Sequence, residues 1–433
     1  MKERIKELAG TWIPILAAFL LTLVFIGIHA FIYQHNYEGY ESSWLFLVLA
    51  LGAMAVTWIM FHRCKILLVQ LADVEIPYLL VSVVIAVSIF MLLVTAEVSN
   101  EVISVSNSRI LDLGLFKIQK KWLFDPYVII VFPAFVGSVL NGLKKNDTTK
   151  NRIMAVAAIA LLNISSVLFF SQMASIYLVE MAVLNFFTVD MAVILWDTEK
   201  MLEALDYDED EDSSVWDEDY EEHESLNWLW VTLFYYIFWT FLLMSTMSTS
   251  ETLTEYMYSG NWSLRKQNIS MLMENTGTWY ASYNPSNMYT IRQFMAENNN
   301  VIHSLLYYAG WGGMAVYGGL LGGFIALMGR FVGFGYYLHK PHYLIYQAAF
   351  LNLLIRAVCG ILYGFGILPI PVSLPFGGSV AVVMDAVCVA LLLYSEIFEN
   401  MPMRQVEKTV VFDEWDKDLN KEDLPWKEDG EKS

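Results

Sequence analysis

Apolar residues in this chain come in blocks, not in strict alternation. Stretches of about twenty residues with almost no charge recur, each closed by a polar or aromatic edge, which is the helix length a hydrocarbon core of about 30 Å requires. Read this way, the pattern predicts about ten spans. They fall near residues 11–33, 44–62, 77–97, 126–144, 152–171, 174–196, 227–247, 303–330, 342–368 and 377–398. The fifth and sixth are two helices only if the chain turns near Ser171-Gln172. Trp228, Trp230, Tyr307 and Tyr308 sit at block edges, as interfacial anchors do. The expected fold class is an all-α polytopic membrane protein. No small-residue cleavage site follows the charged start Met1-Lys2-Glu3-Arg4, so the first span is expected to remain as a signal anchor.

The last three blocks carry the most unusual pattern. A Gly-rich apolar run, Ala309 to Arg330, is followed by a second apolar span, and then by the segment Ile367 to Ser379 before the final span. That segment holds Pro369, Pro371, Pro375 and the pair Gly377-Gly378, which rules out regular helix and predicts a hinge. Irregular backbone between membrane spans persists only where protein or a water-filled cavity satisfies its polar groups. The hinge is therefore expected to form one wall of a functional cavity. Gly318, Gly319, Gly322 and Gly323 form small-xxx-small rows and are expected to pack closely on another helix.

Charge refines this picture. The formal net charge is −19, with 56% hydrophobic residues. The acids concentrate in two places, residues 196–225 and 399–433, and the remaining membrane body is neutral. Residues 197–225 are expected to be a disordered acidic loop, either a solvated linker or a docking site for a basic partner. Residues 399–433 are expected to be a disordered acidic tail after a membrane domain spanning 1–398. An acidic chain with no basic stripe argues against nucleic acid as a partner. Lys and Arg counts place both termini in the cytoplasm, which makes residues 99–125 and the larger 248–300 outer loops. Long loops beside a membrane cavity tend to be functional.

Ionisable groups at bilayer depth are costly and mark a site or a pair. His29, Glu180, Asp190, Arg356 and Asp385 are the candidates. Arg356 and Asp385 lie on the two spans joined by the hinge, at comparable depth if those spans are antiparallel, so an ion pair is predicted. His29 reads as a hydrogen-bonded interior residue. Cys64, Cys359 and Cys388 have no metal or redox spacing, and no zinc, haem or nucleotide motif occurs, so no cofactor or metal is expected.

Four landmarks, in order, resemble the SEDS family of shape, elongation, division and sporulation proteins (FtsW, RodA, SpoVE). Arg109-Ile110-Leu111-Asp112-Leu113-Gly114 followed by Gln119 resembles the RWI-x-LG…Q element. Gln172 matches the Gln of QPDLGT. Asn298-Asn299-Asn300-Val301-Ile302 with Gly310-Trp311-Gly312-Gly313 resembles HTDFI before a Gly-rich eighth span. Gly366-Ile367-Leu368-Pro369 and Leu374-Pro375-Phe376-Gly377-Gly378-Ser379 resemble the GLLP…LPF-SYGGS hinge. The resemblance implies a bundle of about ten helices with a long outer loop before the eighth, in a bacterial plasma membrane. It also implies a peptidoglycan glycosyltransferase that polymerises lipid II, the undecaprenyl-diphosphate-linked disaccharide. The implied partner is a class B penicillin-binding protein or another membrane protein of a division complex.

The family's catalytic Asp, a proposed general base, falls on Asn299 when aligned from Gly310-Trp311 and on Asn300 when aligned from Val301-Ile302. An amide takes no proton at neutral pH. Lys120-Lys121-Trp122 stand where the family has Pro-Ser-Glu, and Met173-Ala174 replace Pro-Asp. Residues 248–300 contain no Asp. Three functions remain open. One is a polymerase whose base has moved to Glu297, with Arg109, Lys120, Lys121 or Arg292 neutralising a pyrophosphate leaving group and Gln119 and Ser379 in the substrate site. The second is a non-catalytic scaffold or binder of a lipid-linked precursor. The third is an unrelated transporter using Glu180, Arg356 and Asp385 as intramembrane charges.

Overall fold

The computed structural model describes residues 2–36, 43–73, 85–91, 96–99, 102–105, 110–112, 117–145, 149–170, 261–279, 300–332, 342–369, 372–377 and 379–400. Its helices are α1 (Lys2–Asn36), α2 (Ser43–Asp73), α3 (85–91), α4 (Lys120–Pro126), α5 (Phe132–Lys145) and α6 (Thr149–Phe170). They continue with α7 (Asn261–Glu274), α8 (Val301–Val332), α9 (Tyr343–Gly364) and α10 (Ser379–Ser395). One π turn, Tyr127–Val131, joins α4 to α5, and another, Glu396–Asn400, extends α10. Three segments are long and apolar enough to cross a membrane: Trp12–Ile32, Val301–Val332 and Tyr343–Gly364. Shorter apolar helical segments occur at Leu47–Arg63, Leu123–Val139 and Ala157–Ser166. The protein is a helical membrane protein. The blocks expected at 174–196 and 227–247 and the acidic segment 197–225 lie outside the described residues.

Two short antiparallel strand pairs occur where the sequence reading assigns the end of the third span and the outer loop after it. β1 (Ala96–Ser99) pairs antiparallel with β2 (Val102–Val105), and β3 (Ile110–Asp112) with β4 (Lys117–Gln119). Val98, Val102, Ile103 and Val105 supply the β-branched content that favours a strand, on segments too short for their periodicity to stand out.

α10 packs most extensively against α2, α9 against α10 and α8, and α1 against α2 and α8. On α1 the buried face is Ile15, Ala18, Thr22, Phe25, His29 and Ile32, and the exposed face is Trp12, Leu16, Leu20, Val24 and Phe31. Both faces are almost wholly apolar, as expected of a helix with bundle on one side and lipid on the other. Phe25 meets Tyr317 and Phe324 edge-on, each at 5.4 Å between ring centroids, and stacks on Phe376 at 6.3 Å. This aromatic group joins α1 and α8 to the segment between α9 and α10.

The end of the bundle where α8 stops and α9 starts is closed by side chains. The last carbonyls of a helix have no intrahelical partner. Here Phe331 O accepts from Asn400 Nδ2 at 2.8 Å, and Val332 O accepts from Tyr343 Oη. Glu399 accepts from Tyr346 Oη at 2.8 Å and faces His342 Nε2 at 3.1 Å. Glu396, Glu399 and Asn400 are all buried, so the tail boundary drawn at Glu399 falls inside this turn.

The close packing expected at Gly318, Gly319, Gly322 and Gly323 is absent among the described residues. A Cβ at any of them would meet no described atom within 4 Å. Gly319, Gly322 and Gly323 lie on an exposed face of α8, whereas close approaches to other elements along this helix occur at Gly310 and Gly312 and, against Phe350 of α9, at Gly329.

Candidate functional site

The hinge begins where α9 ends. Gly366 takes φ 71°, its N–H donates to Tyr363 O at 3.0 Å, and Ile367 N donates to Leu362 O at 2.9 Å. This is the paired pattern of a Schellman stop, and glycine occupies its left-handed position. The chain returns through Val372–Gly377, laying Leu374 directly on Gly360, where a Cβ would lie 3.0 Å from the Leu374 backbone nitrogen. Gly377 N then donates to Leu374 O at 2.8 Å, closing a turn with Pro375 second and Phe376 third. Phe376 has φ 64°, a region that costs a bulky residue about 1–3 kcal/mol. Two contacts hold it there. Its ring is fully buried between Phe25 and Phe324, and its N–H donates to Asp385 Oδ2 at 2.6 Å.

Asp385 thereby serves two partners. Arg356 Nη1 on α9 donates to its Oδ1 at 2.8 Å, and Arg356 Nη2 reaches Ser373 Oγ at 3.4 Å. The ion pair expected between the last two helices is present and buried. It also anchors the hinge turn, because one carboxylate binds both the guanidinium and the turn's backbone. On the other side, His29 Nε2 is 3.1 Å from Tyr317 Oη, linking α1 to α8. The imidazole lies against the hinge, since a Cβ at Gly377 would sit 3.4 Å from His29 Cε1. His29 is the interior hydrogen-bonded residue the sequence predicts.

The second half of the site is the start of α8. Asn300 is its N-cap: Oδ1 accepts from Ile302 N at 2.9 Å, and the Asn300 carbonyl accepts from Ser304 N at 3.1 Å. Ten residues later α8 breaks at Gly310, with φ 66° and ψ −167°. A break leaves the next helical turn with orphan N–H groups. They are met by the segment leaving α7: Trp311 N donates to Gly277 O at 3.0 Å and Gly312 N to Thr278 O at 2.6 Å. Trp279 then lies on Gly312, where a Cβ would fall 2.5 Å from its ring. His303 Nε2 donates to Gly364 O at 2.8 Å, and the guanidinium of Arg265, a buried residue of α7, lies 3.9 Å over the Tyr363 ring. The start of α8, the end of α7 and the end of α9 therefore form one packed unit beside the hinge.

Arg356 and Asp385 are brought together. Ser379 is the first residue of α10, Gln119 the last of β4, and Lys120 and Lys121 the first two of α4. Asn299, Glu297, Arg109, Arg292 and Glu180 lie outside the described residues. Arg265, His303 and the break at Gly310 were missed by the sequence reading. The Gly310-Trp311-Gly312-Gly313 cluster was the available signal, because glycine flanking a lone Trp inside a span marks close backbone approach.

An apolar groove of about 840 Å³ runs beside this unit between α1 and α8, with Trp279 and Ser304 toward one end and Val24 and Leu320 toward the other.

No protein-family model and no curated protein matches the sequence. Among solved structures, the chain is similar to a chain from a peptidoglycan synthase complex, described as coordinating polymerization and crosslinking. The identity is 14%, the match covers 87% of this chain and 96% of that chain, and the TM-score is 0.51. That likeness is one of fold, extending over nearly the whole of both chains.

Proposed function

We propose that this chain is a SEDS-type protein of bacterial cell-wall synthesis with about ten spans and both termini cytoplasmic. It handles a lipid II-like, lipid-linked saccharide at the hinge end of the bundle. The observation that carries this reading is the fold likeness to a chain of a peptidoglycan synthase complex over nearly its full length. The ordered landmarks, with the hinge built as a tight anchored turn, support it. In this reading residues 1–398 form the membrane domain, 248–300 the large outer loop, and 197–225 and the C-terminal tail acidic cytoplasmic segments. A class B penicillin-binding protein is the partner.

The activity that follows is polymerisation of lipid II, with Glu297 as general base and Arg109, Lys120, Lys121 and Arg292 against the pyrophosphate. Gln119 and Ser379 contribute to the substrate site. The test is polymerisation of lipid II by the purified full chain, alone and with a candidate partner. Glu297→Gln is expected to lower the rate by roughly 100-fold or more, the usual contribution of a positioned base. Activity that survives this substitution removes Glu297 from the role.

A second reading is a non-catalytic scaffold or precursor binder. It is favoured by Asn300, an amide whose side chain is engaged as a helix cap, and by Asn299 in the other alignment register. It predicts precursor binding or partner capture with no polymer formed and no effect of Glu297→Gln. Deleting 197–225 in a pull-down shows whether the acidic loop takes part. The transporter reading gains no support from the Arg356–Asp385 pair, because both groups are engaged in holding the hinge.

A further inference from the structure

Three helices fix the level of the membrane. α8 has 32 residues and α9 has 22, about 48 Å and 33 Å at 1.5 Å per residue. Only the second length matches a hydrocarbon core of about 30 Å. The two helices are level where Tyr343 Oη meets Val332 O, and level again where the Trp311 ring stacks on Phe365 at 6.3 Å. The part of α8 that runs beside α9 is therefore Trp311 to Val332, and it starts at the Gly310 break. α1 gives the same level. It runs opposite to α8, since Phe25 meets Phe324 and His29 meets Tyr317. Carried on at the same rise per residue, Trp311 lies level with about His35, just past the end of the apolar span at Ile32.

The first turns of α8, together with α7 and the strap 275–279 that fills the break, thus stand at the edge of the hydrocarbon or beyond it. α7 lies over the end of α9, with the Arg265 guanidinium over the Tyr363 ring and Ile269 against Gly366. Composition agrees with this placement. α7 exposes Lys266, Gln267 and Glu274, and α8 starts with Asn300, His303 and Ser304, which a hydrocarbon core accepts poorly. Large apolar side chains are nevertheless exposed at the same level: Trp279 is 59% exposed, Leu264 57%, Tyr308 42% and Trp311 39%. Trp279 and Tyr308 line one end of the groove between α1 and α8, on the side that carries the exposed Val24 and Val316. Lipid surrounds Val24 and Val316 in a membrane-spanning bundle, so Tyr308 and Trp279 meet the same leaflet where its core gives way to head groups. Trp and Tyr are the residues enriched at that depth. On α7, Lys266 Nζ lies 5.2 Å over the Trp262 ring, placing an ammonium beside an aromatic, as a long cationic side chain at an interface does.

We propose that α7 and the strap form a shelf that docks on the head-group layer of the bilayer, with Trp279, Tyr308 and Leu264 as its anchors. The hydrocarbon core then begins at the α8 break and not at Val301. The strap suits that place, because its Gly277 and Thr278 carbonyls accept from Trp311 and Gly312 N–H. Irregular backbone entering the interface therefore brings those acceptors already satisfied. Docking also sets the height of the α8 start, which the rise along the helix keeps within about 15 Å of the core. The shelf goes beyond the polymerase reading and does not depend on it.

The test places a fluorescent amino acid at position 264, 308 or 316 of the full chain, one at a time, in phosphatidylcholine nanodiscs. All three positions are exposed, which favours retention of the fold. Quenching is measured with nitroxide lipids labelled on the head group or at the middle of the acyl chain, and with iodide from water. Probes at 264 and 308 should be quenched several-fold more by the head-group nitroxide than by the mid-chain one. The probe at 316, beyond the break, should show the reverse. Mid-chain quenching at 308 as strong as at 316 overturns the proposal, because the core would then extend past the break. Quenching at 264 and 308 by iodide alone overturns it in favour of water. Protection of both from all three quenchers overturns it in favour of a protein cover. Trp279→Ser should lower head-group quenching at 264 several-fold, and Trp279→Phe should restore most of it. Unchanged quenching in Trp279→Ser overturns the role of Trp279 as an anchor.

Discussion

At the hinge end of the bundle Asp385 gives one oxygen to Arg356 and the other to the backbone N–H of Phe376. At the far end Glu399 gives its carboxylate to two side chains, His342 and Tyr346, while Asn400 and Tyr343 cap the last carbonyls of α8. Both ends bury charge, but they apply it differently. Near His342 the polar side chains, Glu399 and Asn400 among them on the π turn after α10, close the end of a regular helix, α8, the ordinary requirement of helix termini. Near the hinge they hold backbone that is not regular: a positive φ at Phe376, a left-handed stop at Gly366 and a broken helix at Gly310. Irregular backbone is retained where surrounding structure over-determines it, which is characteristic of sites and not of helix ends. The contrast teaches that the far end fastens the bundle and the hinge end shapes a surface.

The comparison breaks most sharply at Asp385. Asp385→Leu leaves a buried guanidinium without its carboxylate, so the loss should be about 3–5 kcal/mol, read as a large drop in thermal midpoint in a fixed detergent. Arg356→Met combined with Asp385→Leu should recover only part of it, because the Phe376 N–H stays unpaired. Full recovery would mean that the carboxylate does not hold the turn. Gly310→Ala comes next. Its Cβ would lie 2.5 Å from Gly277 O at a positive φ, and about 2–3 kcal/mol should be lost. Proteolysis within residues 275–279 should rise in the same variant, since the strap loses its seat.

Glu399→Gln tests the far end. It keeps an acceptor for Tyr346 but removes the charge facing His342, and should cost about 1–2 kcal/mol. Lipid II polymerisation should be unaffected, so an unchanged rate in Glu399→Gln would support the separation of the two ends. Smallest is the α8 cap. Asn300→Ala should cost about 1 kcal/mol, whereas Asn300→Asp should stay within a few tenths, since both residues cap well. If Asn300→Asp raises lipid II polymerisation without changing stability, the catalytic position is 300 and not 299.

The ion pair was legible in the sequence because two helices joined by a short hinge must run antiparallel, which puts Arg356 and Asp385 at matching depth. The second role of Asp385 was not legible. No pattern shows that a carboxylate on α10 reaches back nine residues to a backbone N–H. The glycines of α8 misled for a related reason. Rows at Gly318 to Gly323 satisfy the spacing rule for helix packing, yet the strap packs at Gly310 and Gly312, and only the strap's path could reveal that. Asn300 became a cap and not a free amide because its side chain closes onto Ile302, a local geometry that Asn299 and Asn300 could equally have offered from sequence.

Taken by itself, the sequence determined what depends on composition along the line of the chain. Long uncharged blocks make helices that a bilayer can accept, and prolines with glycines stop the last two from joining. It could not determine which side of each helix meets protein. In a membrane bundle both sides are apolar: Val24 and Phe25 are adjacent and equally hydrophobic, one facing out and the other buried against Tyr317, Phe324 and Phe376. Without a water-facing polar side there is no amphipathic signal to orient a helix. Only the tertiary structure decided which apolar face became core and which became groove, because that choice is made by packing shape and by where buried polar groups find partners.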